Sequence, residues 1–228
     1  MNSKRYALYI YGSTARGDAV EDSDVDVLVV MEDKNDVHIQ DIPVPETAGL
    51  IRKKPDLSYY SVGRLRSMYR SGHLFAWHLY NEAKFLEVGT DYLSELGKPR
   101  NYESFDEDTT PLFDLLCSIK HELAISRDNL IYEAGLVYVC TRNIAMCASY
   151  FTSDGLTFSA YAPYMLGYSD NPFPLPRERF DTLRRARLAG TRGLEAWSLD
   201  GDVLLEDLQN VQDWAYKELT RIKRLSAQ

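Results

Sequence analysis

The run Gly12-Ser13-Thr14-Ala15-Arg16-Gly17-Asp18, followed by Asp22-Ser23-Asp24-Val25-Asp26-Val27-Leu28-Val29-Val30, decides how this chain is read. Just before it, Tyr6 to Tyr11 is an apolar run closed by Gly12, which predicts a buried strand. Gly12 lets the backbone turn sharply and approach a ligand closely. Ser13 supplies a hydroxyl and an amide at the start of a helical turn, a natural place for an anion. Asp24 and Asp26 stand two apart, so on a strand their side chains point the same way. Val25 and Val27 then point to the opposite face, and Leu28-Val29-Val30 carries the strand into the core. Two carboxylates side by side repel, which raises the cost of ionising both. A hard cation such as Mg²⁺ removes that cost, because carboxylate oxygens are its preferred ligands. An isolated Asp-x-Asp is usually an acidic turn entering a strand. After a buried strand and a Gly-Ser turn, it reads as a site for a metal and phosphates.

This arrangement resembles the nucleotidyltransferase superfamily that includes DNA polymerase β. It resembles more closely the small bacterial branch of minimal nucleotidyltransferases and aminoglycoside adenylyltransferases. The pattern is Gly-Ser, an Arg-Gly a few residues on, then Ser-Asp-x-Asp and apolar residues. Here Gly12-Ser13, Arg16-Gly17 and Ser23-Asp24-Val25-Asp26 meet it. Several fixed positions in so short a span make a specific signal. The resemblance covers roughly the first ninety residues and is loose beyond them. Relatives often carry a helix ahead of the first strand, whereas here the strand begins almost at Met1.

The resemblance implies a third carboxylate on a later strand. Asp56, in Lys53-Lys54-Pro55-Asp56-Leu57-Ser58-Tyr59-Tyr60, fits that slot, or is a turn aspartate after Pro55. By resemblance, Asp24, Asp26 and Asp56 would be catalytic and would hold two Mg²⁺ ions. Gly12 and Ser13 would hold the β- and γ-phosphates, with Arg16 and Ser23 also at the nucleotide; Arg16 is otherwise a solvated arginine after a turn. The reaction implied is in-line attack of an acceptor hydroxyl on the α-phosphate of an NTP, ATP by preference, releasing pyrophosphate.

Composition bounds the partners. The 228 residues suffice for one large or two small domains. A net charge of −8 argues against tight nonspecific binding to nucleic acid and favours a small or basic acceptor. Cys117, Cys140 and Cys147 lack Cys-x-x-Cys spacing and read as reduced, buried helix residues. His78 and His121 have no ligand-spaced partner for a zinc site. No signal peptide and no membrane-spanning run is evident, so a cytoplasmic enzyme is expected.

The pattern predicts an α+β fold: a small mixed β-sheet domain with flanking helices over residues 1–100, then an all-α helical bundle over residues 108–228. In the first part, Ser61 to Arg70 reads as a helix with Ser61 as N-cap and Gly72 past its end. Leu74 to Ala83 reads as a second helix and Lys84 to Gly89 as a last strand. Asn101 to Asp108 is a polar linker. Thr110-Pro111 then predicts a helix start, with Leu112, Leu115, Leu116, Ile119 and Leu123 at helical spacing. Further helices are expected from about Glu133 to Phe151, Arg177 to Leu188 and about Val203 to Leu225, with a Pro-rich loop at 171–176.

Several residues admit two readings. Glu82 and Glu87 lie where related adenylyltransferases can place a general base, or are edge glutamates. His73, Trp77 and His78 pack a helix, or wall the nucleotide or acceptor. The arginines Arg177, Arg179, Arg184, Arg185, Arg187 and Arg192 are a solvated helix face, or contact phosphates or RNA. Tyr161, Tyr164 and Tyr168 are core, or line a pocket. In related adenylyltransferases the helical bundle helps form the acceptor site and often a homodimer. A related ribonuclease bundle needs an Arg and a His a few residues apart, but Arg142 has no such His. The expectation is AMP transfer to a small-molecule hydroxyl. The alternatives are transfer to a protein such as a toxin, transfer to an RNA 3′ end, or a non-catalytic protein that keeps the fold for regulation.

Overall fold

The computed structural model describes residues 6–19, 24–32, 55–153, 155–167, 170–192 and 197–226. Tyr6–Tyr11 form strand β1, and all six residues are buried. This follows from a run of aromatic and branched side chains that must be covered on both faces. Strand β2 is Asp26–Met31, β3 is Asp56–Ser61 and β4 is Lys84–Phe85. They form one sheet in the order β3-β2-β1-β4. β1 runs antiparallel to β2 and β4, while β2 and β3 are parallel, so the sheet is mixed.

Helices cover one face. Tyr9, Tyr11, Leu28 and Val30 pack on Leu65, Met68 and Tyr69 of α2 (Val62–Arg70) and on Ala76 and Leu79 of α3 (Leu74–Glu82). Tyr92 and Leu93 of α4 (Tyr92–Leu96) close the same cluster. The other face presents Tyr6, Leu8, Val29 and Met31 beneath Leu86 and Val88. After β1 the chain enters a short helical segment, α1 (Gly12–Arg16), stopped by Gly17 at φ +86.

α2 begins as its sequence predicts: the Ser61 hydroxyl accepts from Arg64 N at 3.2 Å. β4 is shorter than the expected strand over residues 84–89. The ladder with β1 covers Lys84 and Phe85, and Leu86 N still donates to Leu8 O at 2.9 Å before Glu87 and Gly89 take positive φ and turn the chain away.

From Phe105 onward the described residues are mainly helical. Helix α5 (Phe105–Ile125) starts six residues earlier than the Thr110-Pro111 pair predicts, which places Pro111 inside it. Three acidic residues, Asp106, Glu107 and Asp108, fill its first turn and suit the positive end of the helix. Buried Phe105 packs edge-on against Phe151 at 5.4 Å and anchors that start. The expected linker over residues 101–108 is therefore half helix. Thr109, not Thr110, makes the hydroxyl contact there, donating to Phe105 O at 2.7 Å.

Helix α6 (Leu130–Ser149) packs against α5, α7 (Arg177–Arg192) and α8 (Gly201–Ser226). Its apolar residues lie on more than one face for that reason. The α6–α7 contact is close enough that a Cβ at Gly135 would lie 3.0 Å from the Arg187 Cα. Cys140 and Cys147 are buried in α6, but Cys117 is exposed on α5, contrary to its expected burial. It follows buried Leu116 on the turn that faces outward, beside Leu115, which is 39% exposed.

The chain divides into two compact units, Met1–Ser104 and Phe105–Gln228. The whole is α+β: a mixed sheet with flanking helices, then helices alone. Among the described residues no helix is long and apolar enough to cross a membrane.

Candidate active site

Strand register assembles the site. Asp26 opens β2, and its Cα partners are Tyr11 at the end of β1 and Asp56 at the start of β3. Side chains paired across a sheet share a face, so Tyr11, Asp26 and Asp56 stand side by side on one rung. That face is the one covered by α2 and α3. Asp56 N donates to Val25 O at 2.9 Å and pins the rung at its open end. One step inward, the Tyr11 hydroxyl and Ser58 Oγ are hydrogen-bonded at 3.2 Å.

Asp24 precedes the strand rather than lying in it. The Thr14 hydroxyl of α1 donates to its carbonyl at 3.4 Å, so α1 and the entry to β2 are tied together. Val25 and Val27 are buried on the opposite face with Ile10 and Ala15, as the alternation requires.

Gly12 makes the closest approach. It sits at φ +70, and a Cβ there would come within 2.4 Å of Asp26 Oδ2. The backbone turn thus passes directly against a carboxylate of the rung, and only glycine has both the conformation and the room.

The rung is electrostatically unsatisfied. Burial pushes the Asp26 carboxyl up to about 6, and the neighbouring charges of Asp56 and Asp24 add to the rise. His78 and Arg16 pull the other way. Hard oxygen donors that repel one another fit a divalent cation. As they stand, however, no three His, Cys, Asp or Glu side chains among the described residues are drawn into a metal-holding group. Asp26 and Asp56 are Cα partners on the rung, and Asp24 is near enough for its charge to be felt at Asp26.

Helix α3 closes the face with aromatic rings. Phe75 packs on Tyr11 and Tyr60, and the His78 ring meets Tyr11 edge-on at 5.5 Å. Of the three aromatic-stretch residues flagged in the sequence, only His78 is here. Trp77 is buried and donates from Nε1 to Arg100 O, and His73 caps α3 by accepting from Phe75 N.

Glu82, on the last turn of α3, accepts from Arg16 Nη1 at 2.6 Å through Oε2. The same oxygen lies 2.9 Å from His78 Nε2. Burial raises the Glu82 carboxyl, but these two partners outweigh it and hold it below the usual range. So engaged, Glu82 is a poor proton acceptor, and Glu87 is exposed at φ +56. Lys84 Nζ donates to Ala15 O at the end of α1. Sequence reasoning missed the Tyr11–Ser58 pair and the Lys84 contact with α1, because each looks like an ordinary strand residue until register is known.

In the helical unit the flagged arginines are partly spent. Arg177 lies over the Tyr161 ring at 3.8 Å, Arg179 pairs with Asp207 and Arg185 lies over Trp197. The Tyr164 hydroxyl donates to Leu175 O beside buried Phe180, which is core packing. Arg142 ties down the following loop by donating to Ser159 O and Phe158 O. Ser23 and Tyr168, and the side chain of Arg192, lie outside the described residues.

A turn at a strand end, pressed against a carboxylate pair on adjacent strands, is the arrangement the Gly-Ser and Asp-x-Asp motif encodes. Residues 1–109 match the family model of the nucleotidyltransferase domain. This part of the chain belongs to the nucleotidyltransferase superfamily. The nucleotidyltransferase domain spans the whole sheet and its covering helices. Its family uses nucleoside triphosphates and transfers a nucleotidyl group. No curated protein matches the chain.

Proposed function

We propose that the chain transfers an NMP, AMP from ATP by preference, to the hydroxyl of a small-molecule acceptor in the cytoplasm, with Mg²⁺ and release of pyrophosphate. The observation that carries this reading is the Tyr11–Asp26–Asp56 rung with Gly12 pressed against it, inside a nucleotidyltransferase domain.

In this reading Asp24, Asp26 and Asp56 hold the metal. Mg²⁺, when bound, neutralises charge at the α-phosphate and favours the ionised acceptor hydroxyl. Gly12 and Ser13 lie along the β- and γ-phosphates, the glycine because its backbone can approach closely, the serine through its hydroxyl. Arg16 and Ser23 complete the nucleotide contacts. Asp56 faces the acceptor and accepts its hydroxyl proton. The acceptor oxygen forms a bond to the α-phosphorus as the bond to pyrophosphate breaks on the opposite side. Most of the rate gain comes from alignment and charge neutralisation. The helical unit supplies the acceptor site and a homodimer contact. The −8 net charge favours a small or basic acceptor over a nucleic acid.

The test is transfer of label from α-labelled NTPs, with Mg²⁺, into a fractionated cell extract. Wild type is run beside an Asp24→Asn/Asp26→Asn double variant. Label in the small-molecule fraction with wild type only is the expected result. Label on RNA or protein instead would replace the acceptor class, and no difference between the two proteins would remove the proposed site.

A further inference from the structure

We propose that Glu82 is a positioning residue for nucleotide binding. It holds the Arg16 guanidinium in a fixed orientation beside the Asp26–Asp56 rung, and is itself braced by His78. The inference rests on the reading of Arg16 as a nucleotide contact and adds the device that aims it.

The geometry is specific. Arg16 sits on the last turn of α1, one residue before Gly17 ends it. Its guanidinium is caught from two sides. Nε donates to both oxygens of Asp18 at 3.2 Å, and Nη1 donates to Glu82 Oε2 at 2.6 Å. Two anchors on a planar fork fix its plane as well as its position. Among the described residues Nη2 takes no hydrogen bond. The anchors differ in quality. Asp18 is about half exposed and only two residues away in sequence, whereas the Glu82 side chain is only 9% exposed and comes from α3. Glu82 is therefore the anchor that ties the phosphate turn to the body of the domain.

Glu82 is locked in turn. His78 lies one helical turn earlier, and its Nε2 reaches the same Oε2 at 2.9 Å. The His78 ring is wedged edge-on between Tyr11 and Phe75. Tyr11 is the first member of the rung. A continuous chain of contacts thus runs from the rung through Tyr11, His78 and Glu82 to Arg16. If Glu82 served only to pair charges, a flexible surface position would do as well. A buried carboxylate that shares one oxygen between two partners keeps Arg16 ready before nucleotide arrives. It also spares the ordering cost at binding.

The experiment is NTP titration calorimetry with Mg²⁺ on wild type, Glu82→Gln, Arg16→Ala and the double variant, with thermal melting alongside. His78→Gln serves as a second probe that leaves the Arg16–Glu82 pair in place. Glu82→Gln is expected to weaken NTP binding about tenfold. In the Arg16→Ala background it is expected to cause no further loss, because it acts through Arg16. His78→Gln is expected to weaken binding by a smaller factor. In turnover assays KM for NTP is expected to rise more than kcat falls. Unchanged NTP affinity in Glu82→Gln, or losses from the two substitutions that simply add, would overturn the inference while leaving the nucleotide-binding reading intact. A wild type that binds no NTP would overturn both.

Discussion

Gly12 and Asp26 are in contact across the mouth of the sheet: a Cβ on residue 12 would stand 2.4 Å from Asp26 Oδ2. The atom it would strike is the end of a movable side chain, so the fold can yield. What cannot yield is the position of the carboxylate. Gly12→Ala is therefore expected to separate stability from activity. The positive φ costs on the order of 1 kcal/mol. Displacing Asp26 is expected to lower kcat/KM by roughly a hundredfold or more. Melting curves and steady-state kinetics on the same sample check the split; equal small effects on both would contradict it.

Asp26 ties stability to pH. Its carboxyl is pushed up to about 6 in the folded chain, well above the ordinary aspartate range. The folded state thus holds this proton more tightly than the unfolded state. Protonated Asp26 costs the fold nothing extra, whereas ionised Asp26 weakens it. The penalty is absent below about pH 4, grows between pH 4 and 6, and is complete above 6. Asp26→Asn is expected to stabilise the metal-free protein by about 1–2 kcal/mol at pH 7.5, after allowing for solvent screening, and by nothing near pH 4. Added Mg²⁺ is expected to close that gap by stabilising wild type alone, and EDTA to reopen it. Urea melts across the pH range are the measurement.

Asp56 shares the rung with Asp26, and its charge helps to raise the Asp26 carboxyl. Asp56→Asn is expected to lower kcat about a hundredfold or more while changing KM for NTP only a few-fold, if it acts on the acceptor as proposed. It is also expected to shift the pH midpoint of the Asp26 stability effect downward. Kinetics and the same pH series test both halves.

Much of this was written in the local pattern. The alternation Asp24-Val25-Asp26-Val27 sorts carboxylates from core valines, and the structure buries Val25 and Val27 on the face opposite Asp26. Ser61 announces α2 because a hydroxyl before a helix has one obvious bond to make. Thr110-Pro111 misled for a related reason. Pro is favoured at a first turn, yet buried Phe105 and three acidic residues start α5 sooner, and the helix accepts Pro111 within it. The Asp26–Asp56 register and the Arg16–Glu82 pair join residues 30 and 66 apart, and no local rule reports which strands become neighbours.

The helical unit has its own buried charge. Arg179 donates to both Asp207 oxygens, from Nε at 2.8 Å and from Nη2 at 2.6 Å, and Asp207 is buried. Burial raises the Asp207 carboxyl even with this partner present. Arg179→Met leaves that carboxylate without its fork and is expected to cost about 3 kcal/mol in thermal unfolding. Arg179→Met/Asp207→Leu removes both charges and is expected to recover most of the loss. A single variant as stable as wild type would mean that the pair contributes nothing.

The central claim is that the Asp26–Asp56 rung moves a nucleotidyl group by attack at the α-phosphate. Parallel reactions with ATP labelled at the α- or the γ-phosphate, Mg²⁺ and extract test it most directly, in wild type and Asp26→Asn. The account predicts that α-label passes to an acceptor, that γ-label leaves in pyrophosphate, and that Asp26→Asn abolishes both. γ-Label on the acceptor, or α-label transfer undiminished in Asp26→Asn, would contradict it.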